Sequence, residues 1–199
     1  MQTIKAQKTK YSGKALAVTA MFAALITAAT AFIKIPAPLG YAHAGDSVIY
    51  LAACILPAPF GFIAASVGGA LADLLSGYAV WAIPTAVIKA LNVLPFFLAR
   101  KYLQKKGRDT RILHPLTLAM LLPTTAVTSV GYFAANMVLY DSAAAWAEVP
   151  FNLVQSAVGA VLFIALALTL DAVKFKQKIS LKLQMLIACR ICSAGNFCF

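Results

Sequence analysis

The sequence predicts an all-α integral membrane bundle of six transmembrane helices, with both termini in the cytoplasm. Composition is the first observation. Of 199 residues, 62% are hydrophobic and 12% charged, and the mean hydropathy is +0.84. Soluble domains are about half apolar and about a quarter charged, so lipid is the expected solvent for most of this chain. The second observation is a series of apolar runs, most of them near the ~20 residues a helix needs to cross the hydrocarbon core. The third is the placement of charge. The 17 Lys and Arg against 6 Asp and Glu give a net charge of +11, and the basic residues gather between and beyond the runs.

Lys5, Lys8, Lys10 and Lys14 precede the first run, at 15–33, which is roughly 28 Å long as a helix. Lys34, Pro36 and Pro38 end it, and KIPAPLGYAHAGD at 34–46 reads as a loop. The second run, 47–56, is short for a span. It can begin within the loop, tilt, or line the protein interior. Pro57, Pro59 and Gly61 mark a tight turn. The third run, 60–78, is broken by Asp73, and the fourth, 80–98, by Lys89 and Asn92. Arg100, Lys101, Lys105, Lys106, Arg108 and Arg111 follow. The fifth and sixth runs cover 113–139 and 149–172, and Lys174, Lys176, Lys178 and Lys182 come after them.

Basic clusters flanking membrane spans stay cytoplasmic. Six spans starting from the inside satisfy all three clusters, whereas five or seven put one on the wrong side. Residues 1–179 are therefore expected to form a single membrane domain. Residues 180–199 form a tail of no assigned role, lying on the membrane surface or disordered. No cleavable signal peptide is expected, because the first run reads as an anchor.

Several function classes are excluded. No basic, aromatic-studded surface suggests nucleic acid. Cys54 lies in an apolar run, and Cys189, Cys192 and Cys198 lie in the tail. A lone C-x-x-C without a second pair or nearby His reads as reduced thiols, so no metal is expected. There is no Walker-type phosphate loop, so energy from ATP must come from a partner. H-E-x-x-H and G-x-S-x-G motifs are absent, and no catalytic residues or cofactor are expected.

Polar groups inside spanning runs are costly unless they find partners or a wet cavity. Most fall in the outer half of the expected helices and suggest a polar pocket opening outward. The candidate ligand contacts are Tyr41, Asp46, Tyr78, Trp81, Lys89, Asn92, Asn136, Asn152 and Gln155. Asn152 and Gln155 are three apart, in the first turns of the expected sixth span, and share a face. They also suit interhelical glue. Asp46 reads equally as a helix cap. Asp73 and Lys89 are expected to pair with each other across two helices. His43 reads as a loop residue, Trp146 as an interface-belt aromatic, and Tyr78 and Trp81 fit that belt too. Glu148 lies near an outer end. Ala20, Ala24 and Ala28 form a small-residue stripe on the first helix, as do Gly68 and Ala72, beside Gly69, on the third. Such stripes favour close helix packing, within the chain or against a partner.

Over roughly residues 12–175 the chain resembles the substrate-binding S components of energy-coupling factor (ECF) transporters. GYAHAGDSVIYLAA at 40–53, the P-x-P-F-G turn at 57–61, GGALADLLSGY at 68–78, P-T-x-x-I-K at 84–89 and P-F-N-L-V-Q at 150–155 carry the resemblance. It implies high-affinity binding of a water-soluble vitamin or precursor, in the riboflavin, pyridoxine and hydroxymethylpyrimidine group, at the cytoplasmic membrane of a prokaryote. It implies partners: a transmembrane coupling subunit and two cytoplasmic ATPases. Ala20 and Ala24 match the alanine face that meets the coupling subunit. Gly40 to Asp46 becomes the candidate lid, and the loaded subunit is expected to topple in the membrane to release substrate. Asp46, Asn152 and Gln155 could bond a pyrimidine or pyridine edge stacked on Tyr78 or Trp81. The alternatives are an intramembrane enzyme using Asp73 with Asp46 or Lys89, a stand-alone secondary transporter, and a structural protein without ligand.

Overall fold

A computed structural model describes residues 13–37 and 40–178. Its elements are α1 (Gly13–Phe32), β1 (Lys34–Ala37), β2 (Gly40–His43), α2 (Gly45–Ile55), α3 (Phe60–Leu75), a 3-10 turn (Ala79–Trp81), α4 (Ala82–Lys105), α5 (Pro115–Ala119), α6 (Leu121–Leu139) and α7 (Ser142–Ala172). Four segments are long and apolar enough to cross a membrane: Ala15–Phe32, Ala79–Lys105, Pro115–Leu139 and Ser142–Ala172. The shorter apolar helices α2 and α3 complete six, with α5 and α6 forming one bent segment.

The short second run lines the interior. From Gly45 to Ile55 every residue of α2 is buried except Val48. It packs against α1, α3, α4 and α7, so it does not need the length of a lipid-facing span. Tyr50 stacks on Phe96 of α4 (5.1 Å between ring centroids) and meets Phe163 of α7 edge-on at 5.9 Å. Aromatic pairs in these geometries add to the burial of their area. This cluster is the centre of the core.

Around α2 the packing order is α1 on α3, α3 on α4, α4 on α6 and α6 on α7. Gly68 is required where α1 crosses α3: a Cβ there would lie 2.8 Å from the Ala23 carbonyl oxygen and from Ile26. The same close approach lets the Thr27 hydroxyl donate to the Gly68 carbonyl (3.0 Å). The small-residue stripe of α3 is thus used inside the bundle, where Gly68 and Ala72 are buried. On α1, Ala20, Ala24 and Ala28 are exposed.

Several boundaries differ from expectation. Residues 34–46 are not a plain loop, for β1 and β2 pair antiparallel with Lys34 opposite His43 and Ala37 opposite Gly40. α3 stops at Leu75 rather than 78, closed by Gly77 at φ 83°, a conformation that favours glycine. α4 continues to Lys105, because apolar Ala99 and Leu103 stay buried through the basic cluster. α7 starts at Ser142 rather than 149, capped by Asp141, whose carboxylate accepts from the Ala144 N–H (2.8 Å). Glu148 and Pro150 concealed that start in the sequence.

At the end carrying the basic cluster, side chains tie the segments together. Arg100 donates to the Leu56 carbonyl and to Asp109 (3.3 Å for the latter), and Lys176 pairs with Asp109. Asp171 of α7 accepts from the backbone N–H groups of Ile112 and Leu113, both at 2.8 Å. Cys54 is a buried free thiol. Cys189, Cys192, Cys198 and the tail at 180–199 lie outside the described residues.

Candidate functional site

The cleft lies toward the opposite end of α4, where Thr85 stands about 22 Å of helix from Arg100, the first residue of the basic cluster. One stripe of α7 supplies Glu148, Asn152 and Gln155, spaced by four and three so that all three point inward. Because α7 begins at Ser142, Asn152 lies about 15 Å along the helix rather than in its first turns. α6 supplies Tyr132 and Asn136, again four apart. Trp81 comes from the 3-10 turn, Thr85 from α4 and Asp73 from the end of α3. The hairpin strand β2 brings Tyr41 and His43, and Tyr78 completes the wall. The empty space there, counting the solvent at its open mouth, is about 430 Å³.

The aromatic walls are coupled. Tyr41 packs on Tyr78 (5.2 Å) and His43 (5.8 Å), and Trp81 packs on Tyr132 (5.8 Å). Tyr41 donates its hydroxyl to Asp73 Oδ1 at 2.7 Å. Burial, with the charge of Asp73 beside it, pushes the Tyr41 hydroxyl well above the ordinary tyrosine range, so it stays a donor. Burial, then the Lys89 charge, drives His43 down to about 3. His43 is therefore neutral, with Nδ1 accepting from the Gly45 N–H (3.1 Å) and Nε2 carrying the proton.

Behind the cleft lies a buried ionic network. Lys89 Nζ sits 2.6 Å from Asp46 Oδ1, and Gln155 Nε2 donates to Asp46 Oδ2 at 2.9 Å. Gly159 makes this reach possible: a Cβ there would lie 3.0 Å from the Cβ of Asp46. The expected Lys89–Asp73 pair is therefore corrected. Asp46, in the first turn of α2, holds Lys89, while Asp73 accepts from Tyr41 instead. Nor does Asp46 cap its helix, whose N-cap is Ala44 without a side-chain bond. Spacing in sequence could not decide which of two carboxylates on separate helices reaches one lysine.

Of the expected contacts, Tyr41, Tyr78, Trp81, Asn136, Asn152 and Gln155 line the cleft. Asp46 and Lys89 stand behind it, and Asn92 bonds Thr128 (2.9 Å) between α4 and α6. Trp146 is exposed and packs on Phe133 (5.1 Å). Sequence reasoning missed Thr85 and Tyr132, whose hydroxyls lie 3.2 Å apart. Their available signal was that Tyr132 stands one turn before Asn136. His43 and Asp73 were noticed but placed elsewhere. Several lining atoms have no hydrogen-bond partner among the described residues: Asp73 Oδ2, Trp81 Nε1, Asn136 Oδ1 and Asn152 Nδ2. Thr30 Oγ1, Tyr50 Oη, Asn92 Oδ1, Ser129 Oγ and Ser156 Oγ are also buried without partners among the described residues but lie outside this lining, so it is the grouping of four such atoms around one cleft that marks it. No group of His, Cys, Asp and Glu among the described residues could hold a metal ion.

Six packed apolar segments with a polar, aromatic-walled cleft at one end describe a multi-pass membrane protein. A family model described as "ECF-type riboflavin transporter, S component" matches residues 10–172, and the chain belongs to that family. It is a substrate-binding subunit of an ECF transporter, not an enzyme. An uncharacterized protein from the gap 3' region of Pyrococcus woesei is 34% identical over 143 residues, spanning 69% of this chain and 88% of that one. The solved S component of a bacterial ECF transporter shares the fold, with a TM-score of 0.63 and 24% identity over 80% of this chain and 96% of that one.

Proposed function

We propose that this subunit captures a water-soluble vitamin or vitamin precursor from outside a prokaryotic cell and delivers it across the cytoplasmic membrane. ATP hydrolysis by two partner ATPases, acting through a transmembrane coupling subunit, drives the step. The observation that carries this reading is the set of unpartnered donors and acceptors in an aromatic-walled cleft. Such a site is suited to a flat heterocycle stacked on Tyr78, Trp81 or Tyr132 and bonded along its edge by Asn136 and Asn152. Gln155 both lines the cleft and holds Asp46, so it positions the wall as well as meeting ligand.

The β1–β2 hairpin supports a lid role for Gly40 to His43, since β2 supplies Tyr41 and His43 to the cleft, whereas Gly45 and Asp46 of the expected lid belong to α2. The outward-facing Ala20 and Ala24 support docking of α1 on the coupling subunit. The family description favours riboflavin as one ligand to try, and the pyridine and pyrimidine precursors are the others.

Uptake of labelled vitamins in cells lacking their own vitamin importers tests the proposal. Accumulation should need this chain together with the coupling subunit and ATPases. Accumulation by this chain alone would make it a stand-alone secondary transporter.

A further inference from the structure

We infer that the substrate carries an amino or ammonium group, which it presents to Asp73. The inference rests on the ligand-binding reading and narrows it to a class of substrate. Asp73 is 5% exposed and lines the cleft. Its Oδ1 accepts from Tyr41 (2.7 Å), and its Oδ2 accepts from nothing among the described residues at normal geometry. The Thr85 hydroxyl lies 3.2 Å from that of Tyr132, and either can be the donor. A buried carboxylate with one oxygen satisfied and one open calls for a cation or a strong donor.

The charges around the cleft favour the cation. Neither Lys nor Arg is among the described residues that line it. Lys89 is close behind, its Nζ 5.2 Å from the centre of the Tyr132 ring, but its nearest carboxylate oxygen is that of Asp46 at 2.6 Å. Lys34 stacks on Tyr41 at 4.7 Å and donates to Ser76 (3.1 Å), outside the lining. Asp73 and the aromatic rings that line the same cleft, Tyr41, Tyr78, Trp81 and Tyr132, form a setting that attracts cations through both charge and ring faces. Trp81 Nε1 and Asn152 Nδ2, which also line the cleft, are donors without partners among the described residues. They suit ring nitrogens or oxygens that accept. The substrate class is therefore a small amine-bearing heterocycle, such as an aminomethylpyridine or an aminopyrimidine, rather than a neutral polyol-bearing ring.

The test is calorimetric titration of the purified full chain in detergent with matched ligand pairs. Pyridoxamine is set against pyridoxine, and 4-amino-5-hydroxymethyl-2-methylpyrimidine against its 4-hydroxy counterpart, with riboflavin alongside. At least one amine should bind about tenfold or more tighter than its hydroxyl partner, as expected for a hydrogen bond to a buried charge. Asp73→Asn should bring the two affinities to within about threefold of each other. Tighter binding of riboflavin or of a hydroxyl analogue would overturn the inference while leaving the vitamin-binding function standing. An amine preference that survives Asp73→Asn would overturn the role of Asp73. If none of these five compounds binds, the inference is overturned, and the uptake assay decides the proposed function separately. If Asp73→Asn does not purify as a monodisperse protein, the wild-type ratios alone decide.

Discussion

Lys89 Nζ lies 2.6 Å from Asp46 Oδ1, with both side chains fully buried, and this pair joins the first third of α4 to the first turn of α2. Gln155 holds the other carboxylate oxygen, so three helices meet at one charge. Removing one partner of such a pair leaves an uncompensated buried charge, at a cost of about 3–5 kcal/mol. Lys89→Met should therefore lower the unfolding temperature in detergent sharply. The double variant Asp46→Asn with Lys89→Met removes both charges and keeps an acceptor for Gln155, so it should recover much of the loss. A Lys89→Met protein as stable as wild type would show that the pair is not closed in the membrane protein.

Asn152 and Gln155 share a face of α7 but differ in what they hold. Asn152 Nδ2 has no partner among the described residues, whereas Gln155 Nε2 bonds Asp46. Asn152→Ala should weaken ligand binding by about 1–3 kcal/mol with little change in unfolding temperature. Gln155→Ala should weaken binding and also lower the unfolding temperature. Parallel titration and thermal melts separate the two, and identical behaviour would contradict the assignment.

The two small-residue stripes should respond oppositely. Ala24 faces outward, so Ala20→Trp and Ala24→Trp should fold and bind ligand normally but abolish coupled uptake. Gly68 faces Ala23 and Ile26 with no room for a Cβ, so Gly68→Ala should destabilise the bundle by about 1–3 kcal/mol. Normal uptake in the Ala24 variant would remove the docking role of that face.

His43 gives a pH dependence of defined sign. Its ordinary value of 6.5 falls to about 3 in the folded chain. Above pH 6.5 both states are neutral there and His43 contributes no slope. Below it the unfolded chain takes up a proton that the folded chain does not, so stability falls as pH drops from 6.5 toward 3. His43→Asn keeps an acceptor for the Gly45 N–H and should flatten that decline in thermal melts across pH 7 to 4. An unchanged slope would place the titrating group elsewhere.

Much of this was legible in the sequence, for physical reasons. Apolar runs and basic clusters obey the bilayer, so the six segments could be read directly. Polar residues in those runs must be partnered or face a cavity, which picked out Asn136, Asn152 and Gln155 in the cleft. Partner choice was not legible. Lys89 had Asp46 and Asp73 within plausible reach, and only the depth of α2 and the narrow crossing at Gly159 decide between them. Thr85 and Tyr132 escaped notice because a lone hydroxyl in an apolar run costs little and so leaves a weak signal. The early start of α7 escaped because Glu148 and Pro150 resemble a loop until Asp141 is recognised as its cap.

The most direct test of the central claim is mass spectrometry of small molecules released from the detergent-purified protein after growth in rich medium. The account predicts one small heterocycle at about one copy per chain, lost or reduced in Asn152→Ala. Protein that emerges without any bound small molecule, and that binds none of the vitamins added afterwards, would contradict it.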